Sequence, residues 1–331
     1  MKIGITYNLK KSSPSRNIPD AFEEFDSPAT IRAVANALES GGHRVIRLGW
    51  GTEAIRKIKN TRPDFIFNLA EGFEGRNRES IMPAICELFG IPHTGSDAFT
   101  LALTLDKMQA TTIVSCAGVK VPASVLIRPR ENPVKLPPFP LFIKPALEGS
   151  SIGIRLSSRV EDRKALAKQL RRLWRTYGEK PVLAEHFIDG REFTVGVLGN
   201  EIPYLIGIME IRFRKEITPP SRHFIYSMEI KRDWEKLCEY IAPPDIPASL
   251  VKKISQSALA AYRALGCRDV TRIDFRVNPA GEVFFLEANP LPGLNPISGD
   301  IVILAKKMGW THEKLILTIL AHAMERCGLS R

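Results

Sequence analysis

The segment TRIDFRVNPAGEVFFLEANP predicts a β-hairpin whose side chains could bind a metal ion. Side chains alternate along a strand, so Arg272 and Asp274 share one face of the first strand. By the same alternation, Phe285, Glu287 and Asn289 share a face of the second strand. Folding at the intervening turn places Arg272 nearly opposite Glu287, with Asp274 a diagonal neighbour. Two carboxylates and an amide oxygen would then converge, which suits Mg²⁺. A solvated face of paired charges is the alternative.

A second segment, Lys144 followed after three residues by EGSSIG, has the composition of a phosphate-binding loop. Small residues such as Ser150 and Ser151 let backbone amides point at a phosphate, and Lys144 adds a positive charge at a strand end. We therefore expect a flexible phosphate cover here. An ordinary Gly-Ser turn is the alternative.

A third segment, VLAEHFIDGREFTV, places two carboxylates seven residues apart around a strand end. This spacing could direct Glu185 to an adenine amino group and Glu192 to ribose hydroxyls. The backbone of His186 and Ile188 would read the adenine edge. A surface hairpin without a ligand would have the same spacing, so both interpretations stay open.

Composition excludes several classes of protein. The chain has 331 residues, enough for two domains or three small ones, and 47 Lys and Arg against 36 Asp and Glu leave a net charge of +11. The basic residues are dispersed, which argues against nucleic acid as a partner. Five cysteines without a CxxC pair argue against zinc and disulfides. The apolar run in MKIGITYNL is too short for a signal peptide, and no stretch is long enough to span a membrane, so we expect a cytoplasmic protein without membrane contact.

The elements that must position these residues alternate between strand and helix over residues 1–98, which predicts a parallel α/β layer. Beyond residue 100 the pattern changes to a compact α+β arrangement. There we expect one helix over 104–117, a strand over 153–156, a helix over 160–177, and the hairpin described above. A helix over 78–89 is expected earlier in the chain.

The three segments occur in one order that resembles the ATP-grasp ligases, and among them the D-alanine:D-alanine ligases. The similarity extends from residue 91 onward and is carried by HTGSDAFTLALTLDKMQA, FIKPALEGSSIGI, VLAEHFIDGREFTVGVLG, IYSMEIK, LGCRDVTRIDF and FFLEANPLPGLNPIS. It implies an ATP-grasp fold of the α/β class, with α+β in the ATP-binding part. Residues 1–98 would form a Rossmann-like pre-ATP-grasp domain, 99–188 a central subdomain with the Gly-Ser lid loop, and 189–331 a C-terminal subdomain with the Mg²⁺-binding hairpin.

The resemblance also implies roles for individual residues. Those expected to contact ATP are Lys107, Lys144, Ser150, Ser151, Glu185, His186, Ile188, Glu192 and Lys231. The Mg²⁺ ligands would be Asp274, Glu287 and Asn289. Arg272, the Gly293 amide and Ser150 would act in catalysis, the first two by holding the tetrahedral intermediate. Ser298, with Arg272, would contact the acceptor substrate, and Glu24 and Arg232 are the candidates on the donor side.

The implied chemistry is ADP-forming ligation of a carboxylate to an amine through an acyl phosphate, with ATP and Mg²⁺ as cofactors and Mn²⁺ as a substitute ion. Amino acids or short peptides would be the substrates, and similar ligases are usually homodimers. A true D-alanine:D-alanine ligase of peptidoglycan synthesis is one alternative. An ATP-binding sensor or scaffold without ligase activity is another.

The donor side departs from the family pattern. Where the D-alanine ligases have a His-Gly pair after the third strand, this chain has NLAEG at 68–72. The glutamate expected near the first long helix has near-matches in Glu23, Glu24 and Asp26, and the lid tyrosine after Lys231 is replaced by Arg232. A donor larger or more acidic than D-alanine would fit Arg232. Nearby charges at Glu71, Glu74, Arg76 and Arg78 are either solvated or in contact with substrate.

Overall fold

A computed structural model describes residues 1–10, 20, 22–131, 135–216, 223 and 225–329, with the side chain of Arg232 left out. The strands are β1 (Lys2–Tyr7), β2 (Arg44–Gly49), β3 (Phe65–Leu69), β4 (Ser124–Ile127), β5 (Leu141–Pro145), β6 (Arg159–Val160), β7 (Val182–His186), β8 (Arg191–Leu198), β9 (Tyr204–Phe213), β10 (Cys238–Ile241), β11 (Val270–Val277) and β12 (Val283–Asn289). The helices are α1 (Pro28–Ser40), α2 (Gly51–Thr61), α3 (Ile81–Leu88), α4 (Ala98–Leu105), α5 (Lys107–Cys116), α6 (Arg163–Tyr177), α7 (Met228–Arg232), α8 (Trp234–Leu237), α9 (Ala248–Ala264), α10 (Asp300–Lys307) and α11 (His312–Arg326).

The first strands form a parallel sheet in the order β2-β1-β3, as the alternating pattern predicts. Helix α1 begins at Pro28, because the Ser27 hydroxyl accepts a hydrogen bond from the Thr30 amide and Pro28 occupies the first turn. Its buried face packs against α11, so the last helix of the chain covers the first. The N-terminal layer is thereby fixed to the C-terminal end of the chain.

The middle of the chain forms an antiparallel sheet in the order β4-β7-β5-β6, with α6 packed on it. The core between them contains Leu141, Ile143, Leu166, Leu173 and Ala184. Lys144 and Glu185 lie on β5 and β7, so the two neighbouring strands bring these buried charged residues together.

The last sheet, β10-β9-β8-β11-β12, is antiparallel and has a helix on each face. Helix α9 packs on one face, while α10 crosses β8 and β9 on the other. Two glycines allow α10 to approach closely, since an added Cβ at Gly207 would lie 2.8 Å from Met308 Cγ and one at Gly196 would lie 3.1 Å from a Leu304 methyl. This packing fixes the first residue of α10, Asp300, beside the hairpin.

Several local predictions are wrong. Residues 153–156 form no strand, because Gly153 has a φ of +77° within a turn and the chain reaches β6 only at Arg159. The helix predicted over 104–117 is interrupted at Asp106, whose carboxylate caps α5 by accepting from the Gln109 amide. Helix α3 begins at Ile81 rather than 78, after turns that end at Ser80. The sequence analysis missed β10 and α10 altogether.

Among the described residues, none of the helices combines the length and apolar character required to cross a membrane. The division of the chain after residues 98 and 188 stays a prediction.

Asp269 connects distant segments, and we predict that Asp269→Ala lowers the free energy of unfolding by about 3–5 kcal/mol. The fully buried carboxylate accepts hydrogen bonds from Arg326 at 3.0 and 2.8 Å and from the Gly95 amide at 2.8 Å. Its loss would leave a partly buried guanidinium without its anion. Urea denaturation measures the effect. Glu325→Gln, at an exposed neighbour of Arg326, is the control and should change the free energy of unfolding by less than about 0.5 kcal/mol. A loss below about 1 kcal/mol for Asp269→Ala would contradict the connecting role of Asp269.

Candidate active site

A cleft between the middle and last sheets collects most of the predicted nucleotide-binding residues. Its walls include Lys144, Ser150, Ser151, Glu185, His186, Ile188, Glu192, Lys231, Arg272, Asp274 and Glu287. Leu286 and Arg276, which were not singled out, also line it. Residues from β5, β7, β8, β11 and β12 therefore face one space, although they are far apart in the chain.

The two predicted nucleotide carboxylates are both buried in ion pairs. Lys144 Nζ lies 2.8 Å from Glu185 Oε1, and both side chains are less than a tenth exposed. Arg276 lies 3.0 Å from Glu192 Oε2 and also donates to the Ile188 carbonyl at 3.0 Å. Burial raises the pKa of Glu192 against the opposing effect of Arg276. Arg276 therefore orients both Glu192 and the Ile188 backbone, a role that its position two residues after Asp274 could have suggested.

The hairpin register differs from the predicted one. Arg272 pairs with Asn289 and Asp274 pairs with Glu287, with a bulge between Asp274 and Phe275. The bulge shifts the alternation of β12, so Phe285 does not share a face with Glu287 and Asn289 but lies in the core against Phe275. The extra residue, Leu286, faces the cleft instead.

Arg272 is the centre of a cluster of carboxylates. Its guanidinium lies 2.9 Å from Asp274, 3.1 Å from Asp300 and 3.7 Å from Glu287. Burial raises the pKa of Asp274, with Arg272 opposing it. Burial acts in the same direction on Glu287, but Lys107, Lys144 and Arg272 outweigh it and lower the pKa of Glu287. Glu287 is therefore held as an anion.

The three predicted Mg²⁺ ligands lie close together. Asp274 and Glu287 face each other across the hairpin, and the Asn289 amide donates to Asp274 Oδ2 at 3.3 Å. Within the described part of the chain, no group of three or more His, Cys, Asp or Glu residues is placed to hold a metal ion. Two carboxylates and one amide nevertheless match the donor set of Mg²⁺, which takes one or two protein carboxylates and completes its shell with water and phosphate oxygens. The residues present fit the ion.

A second cavity, of about 390 Å³, opens from the same cluster toward the N-terminal layer. Its lining includes the remaining predicted residues, namely Glu24, Lys107, Asn289, Gly293 and Ser298. Ser150, Lys231, Arg272, Glu287 and Asp300 line both spaces. The nucleotide cleft and the second cavity therefore meet at Arg272.

The end of this cavity at Glu24, a candidate residue for the donor side, is built around a buried ion pair. Arg78 Nη2 donates to both oxygens of Glu24 at 2.8 and 2.9 Å, and Glu24 also accepts from the Gly149 amide at 2.8 Å. Glu24 therefore connects the N-terminal layer to the Gly-Ser loop. Of the loop charges left open by the sequence, Arg78 is buried, whereas Glu74 is exposed and Arg76 is exposed while pairing with Asp106.

Three further carboxylates line the second cavity, namely Asp26, a near-match for the expected glutamate, Glu71, whose role was left open, and Glu79, which was not named. Burial raises the pKa of Asp26 to about 7. Burial, reinforced by neighbouring carboxylates, also raises the pKa of Glu71 well above its usual range and that of Glu79 to about 7, the latter against the opposing effect of Arg78. These three residues form an acid-lined wall, and Glu71 lies in the segment NLAEG at 68–72.

The Gly-Ser loop contacts the segment that precedes Lys231. Ser150 and Ser151 have φ values of +47° and +61°, and the Ser151 hydroxyl donates to the Tyr226 carbonyl at 3.2 Å. Lys231 lies on α7 and faces both spaces. The side chain of Arg232 lies outside the described residues, as does most of the loop over 217–224.

Comparisons with known proteins agree with this geometry. Residues 129–321 match the family model described as the D-ala D-ala ligase C-terminus. The D-alanine–D-alanine ligase of Desulforudis audaxviator is 33% identical over 306 residues, which cover 89% of this chain and 92% of that protein. The D-alanine–D-alanine ligase of Aquifex aeolicus is 32% identical, and the match covers 88% of this chain and 93% of that protein. The crystal structure of the Bacillus anthracis D-alanine–D-alanine ligase complexed with ATP superimposes with a TM-score of 0.75 at 21% identity, covering 98% of each chain.

The fold and the site together define an ATP-grasp enzyme, an ATP-dependent ligase. Within that class, the chain belongs to the D-alanine–D-alanine ligase family.

The raised pKa of Asp26 predicts a pH-dependent stability. Between the usual value of 3.8 and about 7, the folded protein retains a proton that the unfolded chain has released, so stability falls as the pH rises through that range. Asp26→Asn removes this loss. We expect the variant to gain on the order of 1 kcal/mol over the wild type at pH 8 and nothing at pH 4. Urea denaturation at both pH values tests this. The control is Glu201→Gln, an exposed substitution whose difference in stability from the wild type should be the same at both pH values. An equal difference at both pH values for Asp26→Asn would contradict the prediction.

Proposed function

We propose that this protein joins the carboxylate of an amino-acid or short-peptide donor to the amine of an acceptor, with release of ADP, through an acyl phosphate. One observation carries the proposal. The lysine-rich nucleotide cleft and the acid-lined cavity meet at the Arg272 cluster, so a carboxylate in the cavity can reach a phosphate in the cleft.

Each residue at this meeting point has a role that suits the chemistry. Lys107, Lys144 and Lys231 would neutralise phosphate charge. Asp274, Glu287 and Asn289 would hold Mg²⁺, which when bound disperses charge on the transferring phosphoryl group. Arg272 and the Gly293 amide would stabilise the oxyanion when the amine attacks, with Ser298 beside the acceptor. Contact between the Gly-Ser loop and Tyr226 would exclude water, which would otherwise hydrolyse the acyl phosphate.

The acid-lined wall indicates the type of donor. Asp26, Glu71 and Glu79 line one cavity, and burial raises the pKa of each of them although Arg78 opposes the rise at Glu71 and Arg78 and Lys107 oppose it at Glu79. A positively charged amino group on the donor would favour their ionised forms. We therefore propose a donor larger than D-alanine that is cationic at this end. The acidic donor suggested by Arg232 does not suit this wall.

A true D-alanine:D-alanine ligase is the second candidate, and the names of the sequence relatives favour it. ADP release with D-alanine as the sole amino acid distinguishes the two. Rapid turnover with D-alanyl-D-alanine as product would establish the second candidate. We expect slow turnover, because the wall at Glu71 and Glu79 differs from the family pattern.

The direct test is ADP release with ATP, Mg²⁺ and pools of L- and D-amino acids and dipeptides, followed by mass spectrometry of the products. The rate of ADP release should be highest with donors that have a basic side chain, lower with neutral donors and lowest with acidic donors. The opposite order would contradict the donor assignment. ATP turnover without any joined product would contradict ligation itself.

Glu287→Gln should lower the rate of ADP release on the order of 100-fold while leaving the fold intact, because it removes one negative charge from the proposed metal site. Glu282→Gln is the matched control, since it lies on the same hairpin at an exposed turn. A coupled assay for ADP and thermal denaturation measure both effects. Full turnover by Glu287→Gln would show that Glu287 does not hold the ion.

Homodimerisation, cytoplasmic location and the three-part domain division also belong to the proposal. Size-exclusion chromatography with light scattering tests the first, with a dimer expected and a monomer contradicting it.

A further inference from the structure

Asp300 has an oxygen atom that the ion pairs described above do not use. Its Oδ2 accepts from Arg272 Nη1 at 3.1 Å. Its Oδ1 is buried and has no hydrogen-bond partner among the described residues. The residue is 7% exposed and lines both the nucleotide cleft and the second cavity. A buried acceptor without a donor is unfavourable, so this atom is suited to a ligand that brings an N–H group.

Close packing fixes the backbone at Asp300. An added Cβ at Gly299 would lie 2.5 Å from the Gly293 carbonyl oxygen, so the loop is tightly closed at this point. Asp300 is the first residue of α10, which the glycines of β8 and β9 allow to pack directly on the sheet. The fold therefore sets where the Asp300 side chain begins, and the hydrogen bond from Arg272 holds one of its carboxylate oxygens.

We propose that Asp300 Oδ1 binds the attacking amine of the acceptor substrate and takes its proton. This rests on the proposed ligase function and names a catalytic residue that it leaves unassigned. Arg272 would hold the oxygen of the reacting carbonyl, and Asp300 is bonded to the same guanidinium. Asp300 also lines the second cavity, from which the acceptor amine would reach Oδ1.

The step balances as follows. The acceptor enters as an ammonium ion, and one proton passes to Oδ1. The freed electron pair forms the nitrogen–carbon bond to the acyl phosphate. The carbon–oxygen bond to phosphate breaks, and phosphate leaves with that electron pair and the second N–H proton. The products are an amide and hydrogen phosphate, and Asp300 then releases its proton to water.

The charges around Arg272 favour an amine rather than a carboxylate as the ligand of Asp300 Oδ1. Asp274, Glu287 and Asp300 all lie within 3.7 Å of one guanidinium. A substrate carboxylate placed at Oδ1 would add a fourth anion to the three that share this guanidinium. An ammonium group would instead supply the donor that Oδ1 lacks.

Asp300→Asn tests the proposal, because it keeps the shape and an oxygen for Arg272 but removes the charge. With an amino-acid acceptor, product formation should fall at least about 100-fold, the usual effect of losing a general base. With hydroxylamine, which is already neutral at pH 7, hydroxamate formation from the acyl phosphate should stay within about twofold of the wild type. Glu313→Gln, an exposed acidic residue in the first turn of α11, is the matched control.

The outcomes distinguish failure of the Asp300 assignment from failure of the proposed ligase function. An equal fall with both nucleophiles would show that Asp300 acts on an earlier step or only supports Arg272, and would overturn the proposal. An unchanged rate of product formation by Asp300→Asn with the amino-acid acceptor would also overturn the proposal. Absence of hydroxamate from the wild type with every donor would refute the ligase function itself. Thermal denaturation verifies folding, and Asp300→Ser, assayed in the same way, replaces Asp300→Asn if that variant is unstable.

Discussion

The ion cluster around Arg272 is the interaction on which the rest of the site depends. A largely buried guanidinium contacts carboxylates from its own strand, from β12 and from the start of α10. Each of these groups would be costly to bury alone, and their mutual attraction keeps them charged in the interior. The cluster thereby fixes the hairpin relative to α10. It also places the nucleotide cleft next to the second cavity.

Charge is distributed unevenly on the two sides of this cluster. Lys144 lines the nucleotide cleft and Lys231 lines both spaces, whereas Asp26, Glu71 and Glu79 line the second cavity alone. Lys107 lies between them, 3.5 Å from Glu287. Such a distribution would suit the proposed ligase, which holds polyphosphate at one end and an amino group at the other. The Arg78–Glu24 pair connects the acidic end to the Gly-Ser loop through the Gly149 amide.

The sequence predicted those features that depend on local order along the chain. The parallel N-terminal sheet and the hairpin followed from periodicity and residue type. The convergence of Lys144, Glu185 and Glu192 followed from motifs occurring in a fixed order. The structure places them in one cleft, whereas their individual contacts with ATP stay predictions.

Other features depend on long-range packing and could not be predicted in the same way. The bulge that moves Phe285 into the core is set by pairing between two strands, which alternation within one strand does not reveal. Asp300 follows a loop without a capping side chain, so nothing local marked the start of α10. The raised pKa values of Asp26 and Glu79 arise from burial by segments distant in the chain. Burial of this kind is a property of the folded structure.

Transfer of ¹⁸O from the donor carboxylate to inorganic phosphate tests the central claim most directly. If the donor attacks ATP to form an acyl phosphate, one labelled oxygen must leave with phosphate in each turnover. The account predicts phosphate carrying one ¹⁸O per ADP formed, and a joined product that has lost one. Unlabelled phosphate formed at the same rate as ADP would contradict it, because ATP would then be cleaved by water.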